Sequence, residues 1–337
     1  MVVDRYYYNI LSPREKDIYN SMYKAIVELK PSVKILGSVT MPALIKIVSA
    51  ITNDNPHMYY FNQVEMSLQM SVTHTVVHLK YFYTKTEIES LNKRIETAVN
   101  TIIRKLDLES TNDEYEREKR VHDILANYVK YDHAAITATD PKHLASAHSI
   151  VGVFVDKKAV CEGIAKATKI LLNTANVRCI VATGKSSLET HGLHAWNIVR
   201  VNGAAYHLDV TWDIANTEGG RVCYDYFNLS DNDIMKDHSD FKSVPACSVA
   251  EANFFAKNKV VFADTRSAKQ YISRAIKNGE KSLYIKWISD SPSFAKITNE
   301  LVQYAIRTAA LDGYPWNARY VPNDTQGTLR IDLAVRV

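Results

Sequence analysis

Only four cysteines, at positions 161, 179, 223 and 247, are spread over 337 residues. They are too few and too scattered for a disulfide scaffold. A Cys179–Cys223 or Cys223–Cys247 bridge remains open, but separate thiols are the expectation. Glycine is scarce too, with 11 residues, and no glycine-rich loop of the phosphate-cradling kind is present. There is no Cys-x-x-Cys pair and no His-Glu-x-x-His, so no zinc site is expected, although His191 and His194 stand three apart. EF-hand-like acidic loops are missing as well. No stretch reaches the roughly 20 apolar residues that a bilayer span requires. The net charge is only +4, without a dense Lys/Arg block, which argues against nucleic acid as a partner. No motif implies a cofactor. The N-terminus, Met1-Val2-Val3-Asp4-Arg5-Tyr6, lacks a cationic segment followed by an apolar run and does not read as a signal peptide. An intracellular protein, or one whose export leader was removed, is expected.

What is present is ordinary globular composition, 46% hydrophobic and 23% charged. Tyrosine alone is over-used, with 20 residues. Such residues can form a carbohydrate- or peptide-contacting surface, but packing at half-buried positions is the plainer reading. The length allows two or three domains. Three units are expected: 1–110, mixed α and β; 111–245, a core carrying the chemistry; and 246–337, a small α+β unit. In the first, helices are predicted over about 12–30, with Ser12-Pro13-Arg14-Glu15 as its start, over 41–52 and over 87–106. Two strands are predicted between Tyr59 and Phe82. In the second, helices fall at about 111–130 and 162–173, and strands near 177–183, 195–201 and 204–212. In the third, strands near 260–262, 283–287 and 329–335 alternate with helices near 267–277 and 294–310. No internal repeat or low-complexity tract is evident.

Cys161 opens a predicted helix, between Lys157-Lys158-Ala159-Val160 and Glu162-Gly163-Ile164-Ala165. At such an end the helix dipole and exposed N–H groups favour a thiolate and can hold an oxyanion. Small residues at 163, 165 and 167 let this helix lie close to its neighbours. His194 begins an alternating strand, and Asn202-Gly203 is a strong two-residue hairpin signal. A two-residue loop pairs 201 with 204, which sets His194 opposite Thr211. Asp209 and Asp213 are then both diagonal neighbours, about 7–8 Å away and on the same face as His194. Parity alone does not choose between them. His191 would face the other way.

The segments Ala159-Val160-Cys161-Glu162-Gly163-Ile164-Ala165, His194-Ala195-Trp196-Asn197 and Tyr206-His207-Leu208-Asp209-Val210-Thr211-Trp212-Asp213 resemble the core motifs of bacterial transglutaminase-like proteins. So do Ala147-His148-Ser149-Ile150-Val151-Gly152, Tyr226-Phe227-Asn228-Leu229-Ser230-Asp231 and Asp237-His238. The resemblance covers roughly residues 111–240. It implies an α+β fold with a papain-like core, cysteine on a helix N-terminus and histidine and aspartate on antiparallel strands. It assigns Cys161, His194 and Asp209 as the catalytic triad. His148 and Trp196 become candidates for contacting substrate, although Trp196 and Trp212 fit hairpin packing better. The implied chemistry is thiol-dependent acyl transfer on a protein or peptide amide. The superfamily includes cross-linkers, peptidases, deglycosylases and inactive relatives. Hydrolysis is expected here, since the insertions of calcium-regulated cross-linkers are not evident. Transamidation and a non-catalytic binding role are the alternatives, and a cell-wall peptide would be the substrate of an exported form.

Overall fold

The computed structural model describes residues 4–187, 192–289, 293–315 and 317–333. Helix α1 (Pro13–Val27) starts as its sequence requires. The Ser12 side chain accepts from the Glu15 N–H while Glu15 reaches back to the Ser12 N–H, a reciprocal capping box. Its buried stripe includes Ile18, Met22 and Ile26. A strand not predicted, β1 (Ser32–Leu36), follows. Helix α2 (Met41–Asp54) leads to the strands β2 (Ser67–Met70) and β3 (His74–His78). The three strands form an antiparallel sheet in the order β1-β3-β2. Helix α3 (Lys85–Leu106) closes this part on Ile88, Ile95 and Ile102. The tyrosines pack: Tyr19, Tyr59 and Tyr60 are buried, and Tyr59 meets Tyr60 edge-on at 5.4 Å.

The central region begins with α4 (Glu114–Tyr128) and α5 (Pro141–Ala147), continues through α6 (Cys161–Thr174), and then enters strands β4 (Arg178–Ser186), β5 (Leu193–Val201) and β6 (Ala204–Leu208). With the two-residue β7 (His238–Ser239), these make a four-stranded antiparallel sheet in the order β6-β5-β4-β7. The hairpin register is the predicted one, with Val201 opposite Ala204 and Asn197 opposite Leu208. It stops there. Residues 210–212 do not continue the strand, because Val210–Asn216 is a helix, α7, capped by the Asp209 side chain accepting from the Thr211 and Trp212 N–H groups. An aspartate at the N-cap has outweighed the β-preference of Val-Thr-Trp.

The last part holds β8 (Val261–Phe262), α8 (Thr265–Lys277), β9 (Ser282–Trp287), α9 (Phe294–Leu311), β10 (Ala318–Asn323) and β11 (Thr328–Leu333). Its sheet runs β8-β9-β11-β10. Strand β10 was not predicted. It contains Pro322, which is tolerated because the strand lies at an edge. The three sheets do not sit in separate cores: one buried apolar cluster includes Leu44, Leu171 and Leu283. Among the described residues, no helix is long and apolar enough to cross a membrane.

One buried group should mark the stability curve. Glu118 on α4 has no exposed surface and accepts from Asn228 Nδ2 at 2.7 Å. Burial pushes its carboxyl up to about 8. An unfolded-state glutamate ionises near its ordinary value, so the folded protein retains a proton that the unfolded chain has already lost. This contribution is fully present below the ordinary glutamate range and is lost as pH rises through about 8. The Glu118→Gln variant should lose that slope, as read from denaturant midpoints between pH 5 and 8.5, and keep the wild-type fold.

Candidate active site

Cys161 is the first residue of α6 and is partly exposed. The chain reaches it through an extended Val160, whose N–H donates to the Ala147 carbonyl, and Ala159 pairs with Tyr131. No side chain caps this helix, in contrast to α1, α4 and α7. Its first N–H groups are therefore not taken by a capping oxygen. Gly163 makes the approach possible, because a Cβ there would come within 2.5 Å of the Ala147 carbonyl oxygen and 2.8 Å of that of Ser149.

Helix α6 lies along β5. Ala165 packs on Ala195 and Val181, and Asn197 Nδ2 donates to the Ala165 carbonyl at 2.9 Å. Farther on, Asn173 bonds the backbone of Cys179, whose strand partner is Val199. Helix and strand thus advance together. Four helix residues back from Ala165 cover about 6 Å, or about two strand residues. The head of α6 therefore lies toward the end of β5 that begins at Leu193 and His194.

His194 is buried and donates through Nε2 to Asp209 Oδ2 at 2.7 Å. Nε2 is thereby committed to Asp209, and Nδ1 is the second ring nitrogen. Asp209 is fully buried and serves two structures at once: Oδ1 caps α7, while Oδ2 accepts from His194. Burial opposes its charge, but the His194 imidazole and N–H bonds from His194 and His238 hold the carboxyl well below the usual carboxylate range. Asp209 reaches His194 from a helix cap, just past the end of the hairpin ladder, and not as a paired strand residue. Asp213 points elsewhere, accepting from His122 Nε2 at 3.0 Å and from the Tyr226 N–H at 3.1 Å.

The remaining candidates separate. His148 is half exposed and donates through Nδ1 to Glu162 Oε2 at 3.1 Å, beside the thiol. It borders a cavity of about 360 Å³ that also meets Asn55, Tyr59 and Phe61. Trp196 is 1% exposed, stacks under His194 and donates its indole N–H to His207 Nδ1 at 2.9 Å. It is a packing residue behind the imidazole, out of a substrate's reach, so the substrate-contact expectation gives way. Trp212 borders a larger groove of about 1100 Å³ with Tyr131, Thr211 and Tyr226. His191 lies outside the described residues. All four cysteines are free thiols.

Two histidine and carboxylate clusters are compact enough to admit a cation among the described residues: His194, Asp209 and His238; and His207, Asp231 and Cys247. In the second, the Trp196 donor fixes His207 Nδ1 as an acceptor. The neutral ring then carries its proton on Nε2, where it meets Asp231 Oδ1 at 2.8 Å. Burial also lowers the basicity of His207. In the first, nitrogens of both rings are engaged in bonds to Asp209. Hydrogen bonding accounts for both clusters.

Residues 101–210 match the family model of the transglutaminase-like superfamily. The chain carries a transglutaminase-like domain. The match spans Cys161, His194 and Asp209, and its fold is the α+β, papain-like core expected from the motifs. Among solved structures, this chain is similar to one described as a TGase, at 15% identity and a TM-score of 0.32, over 56% of this chain and 52% of that one. It is also similar to a candidate cysteine protease from Cytophaga hutchinsonii (14%, 0.28, 41% and 51%) and to a candidate protease from Parabacteroides distasonis (16%, 0.26, 44% and 30%). The chain spans about half the length of the first two and less than a third of the last. The search of curated proteins finds no match.

A second histidine, beyond the matched residues, reaches the same carboxylate. His238 Nε2 also donates to Asp209 Oδ2, at 3.2 Å. Its signal was the Asp237-His238 pair in the family-like motif downstream of the triad. The rest of that motif is scaffold: Asn228 bonds Glu118, and Asp231 holds both His207 and the Cys247 N–H.

Proposed function

We propose that the transglutaminase-like domain catalyses thiol-dependent acyl transfer on protein or peptide amides, with Cys161 as nucleophile, His194 as base and acid, and Asp209 as the orienting carboxylate. The observation carrying this reading is a buried His194–Asp209 pair, closed at 2.7 Å, at the start of the strand against which the uncapped helix headed by Cys161 packs. His194 Nδ1 takes the thiol proton, and the sulfur attacks the amide carbonyl carbon. The carbonyl electrons move onto oxygen, where the first N–H groups of α6 stabilise the oxyanion. Collapse breaks the C–N bond, His194 returns its proton to the departing amine, and a thioester remains on Cys161. Asp209 keeps the proton-bearing Nε2 of His194 fixed throughout and stabilises the imidazolium.

Water then releases a carboxylic acid, and a lysine amine would instead give a new amide. We favour hydrolysis. The cavity at His148 and Glu162 borders the first turn of α6, and the groove at Tyr131 and Trp212 borders α7, the helix that Asp209 caps. Together they offer room for an extended peptide. The three parts of the chain are proposed to divide the work: residues 1–110 and 246–337 form walls of these cavities, and 111–245 holds the chemistry.

The test is incubation with a panel of peptides, with and without an amine donor, followed by mass spectrometry of Cys161 after rapid acid quenching. A substrate-derived acyl adduct on Cys161 that decays in water is the expected result. Decay only when amine is supplied would reverse the choice of acceptor, and no adduct with any peptide would remove the catalytic reading.

A further inference from the structure

His238 stands between two carboxylates. Its Nε2 donates to Asp209 Oδ2 at 3.2 Å, and its Nδ1 faces Asp237 Oδ1 at 2.7 Å. A neutral imidazole has one N–H, so it cannot donate to both ionised acceptors. The arrangement is satisfied by an imidazolium. Asp237 is itself fixed from two directions: its Oδ2 accepts from the Tyr226 hydroxyl at 2.7 Å and from Gln326 Nε2 at 3.2 Å. Gln326 lies in the turn between β10 and β11, 1% exposed, and also donates to the Asp233 carbonyl. A line of hydrogen bonds therefore runs from the C-terminal sheet through Asp237 and His238 to the carboxylate that orients His194.

We propose that His238 is a positioning residue of this site, a buried cation that holds Asp209 in place for His194 and joins the C-terminal hairpin to the triad. This rests on the acyl-transfer reading above. Two imidazoles share one oxygen, with ring centroids 5.2 Å apart. A permanent charge on His238 makes a second charge on His194 costlier and favours an anion nearby. Burial works against a charged His238, and the bonds to Asp209 and Asp237 more than offset it, so its basicity is raised. Among the described residues, the other groups beside it are neutral or turned away. His207 on β6 is the neutral tautomer described above, Tyr226 donates to Asp237, and Lys185 on β4 points outward to Asp240.

Two measurements on the full chain test this. In ¹⁵N-histidine NMR at pH 8, the ring absent from the His238→Gln spectrum should show two protonated nitrogens, where an ordinary histidine is neutral. Asp237→Asn should return it toward the neutral form. A neutral ring at pH 8 overturns the proposal whatever the enzyme does. Second, the pH profile of Cys161 alkylation by iodoacetamide should move to higher pH in His238→Gln, by at least about one unit, since both thiolate and neutral His194 lose a nearby cation. Gln326→Ala should move it less, in the same direction. His238→Phe, with no N–H to offer, should lower turnover further than His238→Gln does. A purely structural role would lower amplitude and leave the profile where it is, and that result sinks the proposal. If Cys161 of the wild type reacts like a free thiol while the ring is charged, the acyl-transfer reading fails, and the positioning role with it.

Discussion

Cys161→Ala is expected to bring amide turnover to the uncatalysed background, and His194→Ala to lower it by about 10³-fold or more. The sulfur is the atom that forms the thioester, and no neighbouring group replaces it. The other three cysteines, Cys179, Cys223 and Cys247, are all buried. Alkylation separates activation of the thiol from turnover. A free thiol is roughly 0.3% thiolate at pH 6. An imidazole that accepts the thiol proton as the sulfur attacks makes the reaction less dependent on that small fraction. His194→Ala should therefore slow iodoacetamide labelling of Cys161 at pH 6 by at least about tenfold, with the gap closing near pH 9. Equal labelling of the two proteins across that range would exclude a thiol–imidazole pair. Asp209 needs the subtler change. Alanine removes a helix cap as well as the His194 partner, whereas asparagine retains a capping oxygen. Asp209→Asn should thus fold, and lose turnover because it no longer stabilises the imidazolium.

Asp213→Ala should be the most destabilising single change near the site, at about 3–5 kcal/mol. Asp213 and His122 have no exposed side-chain surface and meet at 3.0 Å. His122 Nδ1 also faces Asp123 Oδ1 at 3.2 Å, and Tyr224 stacks on the ring. Burial disfavours its charge, but the two carboxylates prevail and raise the imidazole to about 9. Truncating Asp213 leaves a buried cation with half its support and the Tyr226 N–H without its acceptor. The melting temperature should fall by roughly 5–15 °C. The sign with pH follows from the raised imidazole. Its stabilisation is fully present below the ordinary histidine range and is lost as pH rises through about 9. Wild type should weaken over that window in denaturant melts, and Asp213→Ala should weaken less steeply, keeping the Glu118 contribution. A variant as stable as wild type would mean that the pair contributes nothing net. The same device, an imidazole between two carboxylates, recurs at His238, where it adjoins the triad.

The motif segments already carried the outline of this molecule. The capped starts of α1 and α3, the apolar periods of the long helices and the Asn202-Gly203 hairpin register are local properties, set by a few consecutive residues. The sequence therefore determined most elements and their order, and it placed Cys161 at a helix head and His194 on a strand. Short edge strands escaped it: β1 is five residues long, and β10 contains a proline. Parity put Asp209 and Asp213 on one face with His194, and only the family resemblance chose between them. The tertiary structure shows that parity was the wrong physics for that choice. The strand ends at Leu208, and helix α7 turns Asp209 toward His194 and sends Asp213 to His122, 91 residues earlier in the chain. The same long-range packing removed Trp196 from the surface and put His238 and Gln326 behind the triad. Such contacts join residues far apart along the chain, and a pattern of neighbours cannot encode which distant carboxylate a buried imidazole will find.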